Sequence, residues 1–336
     1  MPARVSHIEY VLPKRVVTNE DLKRAHPDWN MDLAASKTGV LSRRVVTEGE
    51  LASDLAYRAA TRLLEVTGTP REDVDGLIFC TQSPDYIMPP NATLLHARLG
   101  LTSSVAAFDI TLACSGYVYG LAIAQSMMDA LGLRNVLLVT ADTYSRYIHA
   151  DDRSALTLFG DGAAVTLLEP AALPSQILDF SLETDGRGGD KFWIEAGGLR
   201  VPRSEETAAA RRDIAGNVRS RETIWMDGRA VLAFAEERIP ASVRAVLARH
   251  GLDVKDLQLV LFHQASAVAL SRLHELLAVP PDRQFTNIAQ VGNTVSASLP
   301  ILLKDAERAG RLKRGDLVLL VGFGAGFSWG CCLLRW

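Results

Sequence analysis

The chain has 336 residues, a length at which roughly 150 residues per domain gives two domains or two fused halves. Hydrophobic residues make up 48% and charged residues 22%, ordinary globular usage that excludes a disordered or fibrous chain. The formal net charge of −3 excludes a bulk basic nucleic-acid binder.

No apolar run approaches the ~18 residues of a membrane helix. The opening MPARVSHIEYVLPKRVV carries no apolar segment ahead of a small-residue cleavage site, so no signal peptide is expected. The four cysteines, Cys80, Cys114, Cys331 and Cys332, form no CxxC pair. Free thiols and a cytoplasmic location follow as expectations.

Taken in chain order, periodicity predicts a helix over Asp54–Thr67, strands at Gly76–Cys80 and Val105–Ile110, and a helix over Tyr117–Leu131. Strands at Asn135–Ala141 and Ala163–Leu168 complete a first set. A second set offers a helix over Val231–His250, a strand at Gln258–His263, a helix over Leu299–Ala309, and strands at Leu317–Val321 and Ser328–Leu334. Such alternation predicts mixed α/β layers.

The two sets resemble each other. GTPREDVDGLIFCTQS from Gly68 matches GLDVKDLQLVLFHQAS from Gly251 at an offset of 183, aligning Phe79 with Phe262 and Ser83 with Ser266. NVLLVTAD from Asn135 matches DLVLLVGF from Asp316 at an offset of 181. Duplication is the better account of two matches in order, with a boundary near Pro170–Pro174 dividing 1–172 from 173–336. DGRGGD from Asp185 reads as a Gly-rich loop. Residues 203–223, rich in arginine, read as a surface insertion, either a solvated face or a partner-binding one.

Cys114 lies in DITLACSGYVYGLA, where an apolar strand gives way to a helix. A thiol at a helix N-terminus feels the positive end of the macrodipole, which favours a nucleophilic thiolate; the other reading is a small buried hydrophobe. His263 ends the strand LVLF, a position from which an imidazole can face a site or serve the core. Asn293, in QVGNTVSASLP, occupies in the second half roughly the turn that Cys114 occupies in the first. The three can therefore meet where the halves join. The glycines of VGFGAGFSWG precede strand-like residues and fit a backbone turn donating N–H groups to an oxyanion better than a dinucleotide loop. No Cys/His metal spacing occurs, and no metal is expected.

Together VLPKRVVTNEDL, SPDYIMPPNATLLHARLG, DITLACSGYVYGLA, RSALTLFGDGAA, HQAS, GNTVSASLP and GFGAGFSWG resemble the thiolase-fold condensing enzymes, and among them β-ketoacyl-acyl carrier protein synthase III. The resemblance implies a five-layered α-β-α-β-α core and a homodimer. It implies Cys114 as the acylated nucleophile, His263 and Asn293 as the pair that drives decarboxylation, and the N–H groups of Cys114 and Ala325 as the oxyanion hole. Thiolase itself would need a second cysteine where this chain has Gly324, Ala325 and Gly326.

Substrate contacts follow from the same likeness. Leu33 stands where the family has a Trp that stacks on adenine, and Lys37 where it has an Arg. Arg153 is retained; Gly228 and Arg229 flank the pantetheine, Arg229 in place of an Asn, and Ser266 also replaces an Asn. Met88 corresponds to a residue that enters the partner's pocket. Coenzyme A and phosphopantetheine thioesters are implied as substrates rather than cofactors, with an acyl-coenzyme A or acyl-carrier primer and a malonyl-carrier extender. The implied reaction is decarboxylative condensation in fatty acid, lipid or polyketide synthesis. Its rivals are acyl transfer to a hydroxyl or amine, and a non-catalytic partner subunit.

Overall fold

The computed structural model describes residues 2–171 and 176–336. A first sheet holds β1 (Ala3–Val11), β2 (Gly76–Cys80), β3 (Ala106–Ile110), β4 (Val136–Asp142) and β5 (Gly162–Pro170), in the order β1-β5-β4-β2-β3. β2 runs parallel to β3 and β4, whereas β5 is antiparallel to β4 and β1. A second sheet holds β6 (Ile177–Thr184), β7 (Leu259–Phe262), β8 (Leu317–Gly324) and β9 (Ser328–Arg335), in the order β7-β8-β9-β6. Here too the first pair, β7 and β8, is parallel and the rest antiparallel. An isolated parallel bridge between Val260 and Gln284 stands where β3 stands in the first sheet.

Helices α1 (Ala52–Thr67) and α2 (Asn91–Leu99) cover the outer face of the first sheet. Helix α4 (Gly228–Arg249) covers that of the second, with α5 (Ala267–Leu276) packed beside it. Helices α3 (Gly116–Leu131) and α6 (Ser298–Arg308) lie between the sheets and touch both. The result is five layers, α-β-α-β-α.

Composition explains the placement. Helix α3 carries one charged residue, Asp129, and buries Tyr117, Val118, Leu121, Ala124 and Met128, as a helix apolar on most sides must. Strand β2 is buried throughout, the pattern of a parallel strand covered on both faces. Among the described residues no helix is long and apolar enough to cross a membrane.

The repeat is structural. Helices α3 and α6 begin 182 residues apart, at Gly116 and Ser298. Gly76 and Leu259 are 183 apart, and their parallel-strand partners Val136 and Val318 are 182 apart. The sequence match of NVLLVTAD with DLVLLVGF is thus one residue out of spatial register. The expected division between residues 172 and 173 lies outside the described residues.

The charged segment 203–223 is exposed over most of its length and is fastened to the body at one end of its hairpin. It forms a short hairpin, Arg211–Arg212 against Val218–Arg219, and Arg219 reaches inward. The Arg219 guanidinium bonds the carboxylate of Asp152 at 2.6 and 3.2 Å and pairs with Asp213 at 3.0 Å. Asp152 is 1% exposed, so this pair fastens the segment beside Arg153.

Candidate active site

Cys114 sits just ahead of α3, 3% exposed, at the seam between the two halves. The end of β8 comes up against it. A methyl group on Gly324 would lie 2.9 Å from both Cβ and Sγ of Cys114, and one on Gly322 would lie 2.9 Å from its carbonyl oxygen. Only glycine lets the strand approach this closely. Ser115 and Ser328 hydroxyls meet at 2.7 Å, and Ser328 Oγ donates to the Ala325 carbonyl at 3.1 Å, tying the cysteine turn to the glycine-rich turn. Among the described residues, neither the Cys114 nor the Ala325 N–H donates to another residue. Two free N–H groups beside a thiol can hold an oxyanion.

Influences of opposite sign act on the Cys114 thiol. Burial pushes the Cys114 thiol up from its ordinary value, and the nearby Asp142 carboxylate pushes the same way. Both act against the partial positive charge of the helix N-terminus. Burial likewise raises Cys80, Cys331 and Cys332. What sets Cys114 apart is its place at the seam against a glycine turn, while Cys80 Sγ donates to the Leu112 carbonyl at 3.1 Å and the other two lie in β9.

His263 follows β7, 1% exposed, its N–H donating to the Val321 carbonyl at 2.8 Å. Its ring stands edge-on to Phe323, centroids 5.7 Å apart, and Nδ1 is buried with no hydrogen-bond partner among the described residues. Burial lowers its pKa to about 3, so the imidazole is neutral at physiological pH. Phe323 adjoins Gly324, so His263 and Cys114 both lie against the end of β8.

Asn293 is 4% exposed and locked by its backbone. Its N–H donates to Leu158 and its carbonyl accepts from Gly160, each at 3.0 Å. Its Oδ1 accepts the Val295 N–H at 2.9 Å, which leaves Nδ2 as the donor for a ligand. The Gln264 N–H donates to Ser298 Oγ at 2.9 Å, joining the histidine turn to the asparagine segment. Cys114, His263 and Asn293 thus belong to one connected seam.

Sequence reasoning passed over two features. A cavity of about 570 Å³ opens beside the cysteine turn, lined by Gln82, Leu112, Tyr144, Phe192, Ala325 and Ser328 among others. Tyr144 donates to Gln82 Oε1 at 2.6 Å, and its ring packs 5.4 Å from Phe159 and 6.4 Å from Phe192. The second is Trp29, stacked face to face on His26 at 3.9 Å; His26 in turn lies 3.6 Å from Asp151. Leu33, 50% exposed, sits one turn further on, so an aromatic face exists four residues upstream of the position the motif points to.

The remaining residues are grouped in part. Lys37 and Leu33 share the exposed side of helix Met31–Thr38, which packs against α5, where Ser266 accepts the Ala269 N–H at 3.2 Å as N-cap. Ser266 therefore serves its helix first. Gly228 and Arg229 open α4 and are exposed. Arg153 donates to the Ala215 carbonyl at 3.3 Å, within the 203–223 segment. Further along α5 from Ser266, Arg272 is paired to Glu236 at 2.8 Å and to Glu275. Met88 stands apart, 79% exposed on a loop with Tyr86 and Ile87. Among the described residues no cluster of three His, Cys, Asp or Glu side chains could hold a metal ion.

Comparison with known proteins gives the arrangement a family. Residues 108–186 match the model of 3-oxoacyl-[acyl-carrier-protein (ACP)] synthase III, and residues 247–336 match the model of its C-terminal part. A β-ketoacyl-[acyl-carrier-protein] synthase III of Gloeobacter violaceus is 39% identical, covering 100% of this chain and 99% of that one. One of Caldanaerobacter subterraneus is 36% identical over 97% of this chain and 95% of the relative. A crystal structure of a 3-oxoacyl-(acyl-carrier-protein) synthase III superposes with a TM-score of 0.97 at 38% identity, covering each chain fully. The Pseudomonas aeruginosa enzyme gives 0.86 at 35%, covering 100% of this chain and 98% of the other. The priming β-ketosynthase of the R1128 polyketide pathway gives 0.86 at 28% identity, covering 99% and 96%. With its seam cysteine, buried histidine and locked asparagine on a thiolase fold, the chain belongs to the β-ketoacyl-acyl carrier protein synthase III family.

Proposed function

We propose that the chain loads an acyl group from a thioester onto Cys114 and then condenses it with a malonyl thioester on acyl carrier protein, releasing carbon dioxide. The observation that carries this reading is the Cys114–Gly324 junction, where a thiol lies beside two N–H groups that donate to no other residue among the described ones. In the first half-reaction Cys114 Sγ attacks the thioester carbon. Its proton passes to the leaving thiolate of coenzyme A or of the carrier's phosphopantetheine. The Cys114 and Ala325 N–H groups hold the oxyanion, and losing one such donor costs on the order of 3 kcal/mol of barrier.

In the second half-reaction the C2–carboxylate bond of the malonyl thioester breaks. Its electron pair forms an enolate on the thioester oxygen. The neutral His263 ring N–H and Asn293 Nδ2 donate to that oxygen. C2 then attacks the acyl carbon, and collapse of the tetrahedral intermediate expels Cys114 as a thiolate that regains a proton. A neutral imidazole suits this role because it donates without adding a charge to a buried site.

Asn293 favours carbon–carbon bond formation over simple transfer to a hydroxyl or amine, a reading supported by Oδ1 being taken by the Val295 N–H, which leaves Nδ2 to donate to an enolate. We also assign the active form as a homodimer in which the exposed Met88 loop enters the partner's acyl pocket, a placement that would bury Tyr86, Ile87 and Met88. Leu33, Lys37, Arg153, Gly228, Arg229 and Ser266 are assigned to the thioester arm. The test combines intact mass with gas release. An adduct on Cys114 after incubation with an acyl thioester, followed by carbon dioxide on addition of malonyl-carrier, supports the reading. An adduct that passes to an alcohol or amine without carbon dioxide would sink it.

A further inference from the structure

One buried carboxylate has no part in the chemistry above. Asp142, the last residue of β4, is fully buried and pairs with no cation among the described residues. Its Oδ1 accepts the Gln82 N–H at 2.8 Å and the hydroxyls of Thr81 and Ser83 at 3.3 and 3.4 Å. Its Oδ2 accepts the Ser296 N–H at 3.2 Å and Ser296 Oγ at 2.5 Å. One oxygen therefore holds the loop that follows β2, in the first half. The other holds the turn that runs on from Asn293, in the second half.

Burying a carboxylate without a counter-charge is costly, even with hydrogen bonds. Its five donors are all neutral, and two of them are backbone N–H groups, one on each oxygen. A backbone donor cannot rotate into an acceptor, so only an acceptor on both sides satisfies the pair. We infer that Asp142 is a positioning residue whose carboxylate clasps the Asn293 turn to the Thr81–Ser83 loop across the seam. Through Val295, which donates to Asn293 Oδ1 one residue before Ser296, the clasp sets where the Asn293 amide points. Through Gln82, it also steadies one wall of the cavity beside Cys114. The titratable groups facing Asp142 are Cys80 from β2, Cys114 ahead of α3, and Tyr144 and Tyr147 from the turn after β4. All four are neutral acids whose ionisation a fixed negative charge opposes.

The inference rests on the condensation reading for its first test and is independent of it for its second. Asp142→Asn keeps the shape but presents an amide donor to one backbone N–H whichever way it turns. Acylation of Cys114 by an acyl thioester, followed by intact mass, should change by less than about threefold. Carbon dioxide release from malonyl-carrier should fall at least about tenfold, in kcat rather than KM. Alkylation of Cys114 by iodoacetamide should meanwhile shift its pH midpoint downward by about one unit, because the opposing charge is gone. Ser296→Ala, which keeps the charge and removes one donor, should lower condensation without moving that midpoint. It stands in if Asp142→Asn fails to give a cooperative thermal melt. Unchanged condensation in both variants, or equal loss of both half-reactions, overturns the clasp. If the wild-type chain acylates but never condenses, the functional reading fails, while an unshifted alkylation midpoint in Asp142→Asn would refute the placement of Asp142 by itself.

Discussion

The two junctions across the seam are equivalent by the repeat and opposite in character. An offset of 182 residues carries Cys114 onto Ser296 and Asp142 onto Gly324. In one junction a serine hydroxyl donates to a carboxylate, and the gap is closed. In the other a thiol faces a glycine, with no side chain to bond it among the described residues and space kept by the missing Cβ. One duplicated geometry is thus a fastener in one copy and, in the other, an open junction that the proposed function uses as its reaction site. The two copies differ in whether the group at this place in the turn has a side-chain partner, which Ser296 has in Asp142 and Cys114 lacks among the described residues.

Closing the open junction should have the largest effect. Cys114→Ala removes the acyl adduct entirely, and in the wild type no adduct should form on Cys80, Cys331 or Cys332. Gly324→Ala puts a methyl group 2.9 Å from Sγ, and acylation should fall about 10²-fold or more, since misplacement by an ångström has that cost. Normal acylation of Gly324→Ala, read by stopped incubation and intact mass, would mean the junction is not the reaction site.

Asn293→Ala sharpens the division of labour between the halves. Acylation, a first-half event, should persist, while carbon dioxide release drops roughly 10²-fold with the loss of one enolate donor. Equal loss in both steps would reduce Asn293 to a strut for Leu158 and Gly160.

A third test uses pH. His263 has a folded pKa of about 3 against an ordinary 6.5, so the unfolded chain binds the extra proton first and stability is lost as pH falls below 6.5. Asp142 runs the other way. Its pKa is raised to about 6, so its contribution is present at low pH and is lost as pH rises through that value. His263→Asn should remove the acid-side loss, on the order of 2 kcal/mol at pH 5. Denaturant melts of both proteins at pH 5 and 7 measure it. A difference that does not change with pH would show that the histidine is not held neutral.

The smallest effect concerns Trp29. Trp29→Ala should slow acylation by an acyl-coenzyme A roughly tenfold if its ring stacks on adenine, and leave the matched acyl-carrier unaffected. Equal slowing with both donors would assign Trp29 to packing against His26 alone.

Much of this arrangement was legible in the residues, and the omissions have physical causes. β2 is buried on both faces and reads as the run GLIFC without ambiguity. β1 and β6 passed unnoticed because each is an edge strand with a register shift, at Val5/His7 in the β1 pairing and at Leu333/Leu334 in the β6 pairing. Such shifts break the alternation that marks a half-exposed strand. Cys114, His263 and Asn293 stand out by motif and by their places at element ends. Asp142 does not, since an acidic residue after VLLVTA looks like any strand-ending turn, and its five donors come from sequence separations of about 60 and 154 residues. The thiol's elevated pKa was hidden for the same reason. Helix position is local and readable, whereas desolvation depends on a strand from the other half.

That construction has a thermodynamic consequence. Because the site's walls come from both halves, an occupant of the seam acts as a clamp between them, binding the native chain and not the unfolded one. At a concentration one hundred times its Kd, a thioester seated there would stabilise the whole molecule by about 2.7 kcal/mol. Each halt of the cycle with a seam ligand in place would therefore be felt as added resistance to unfolding in sheets that the ligand never touches.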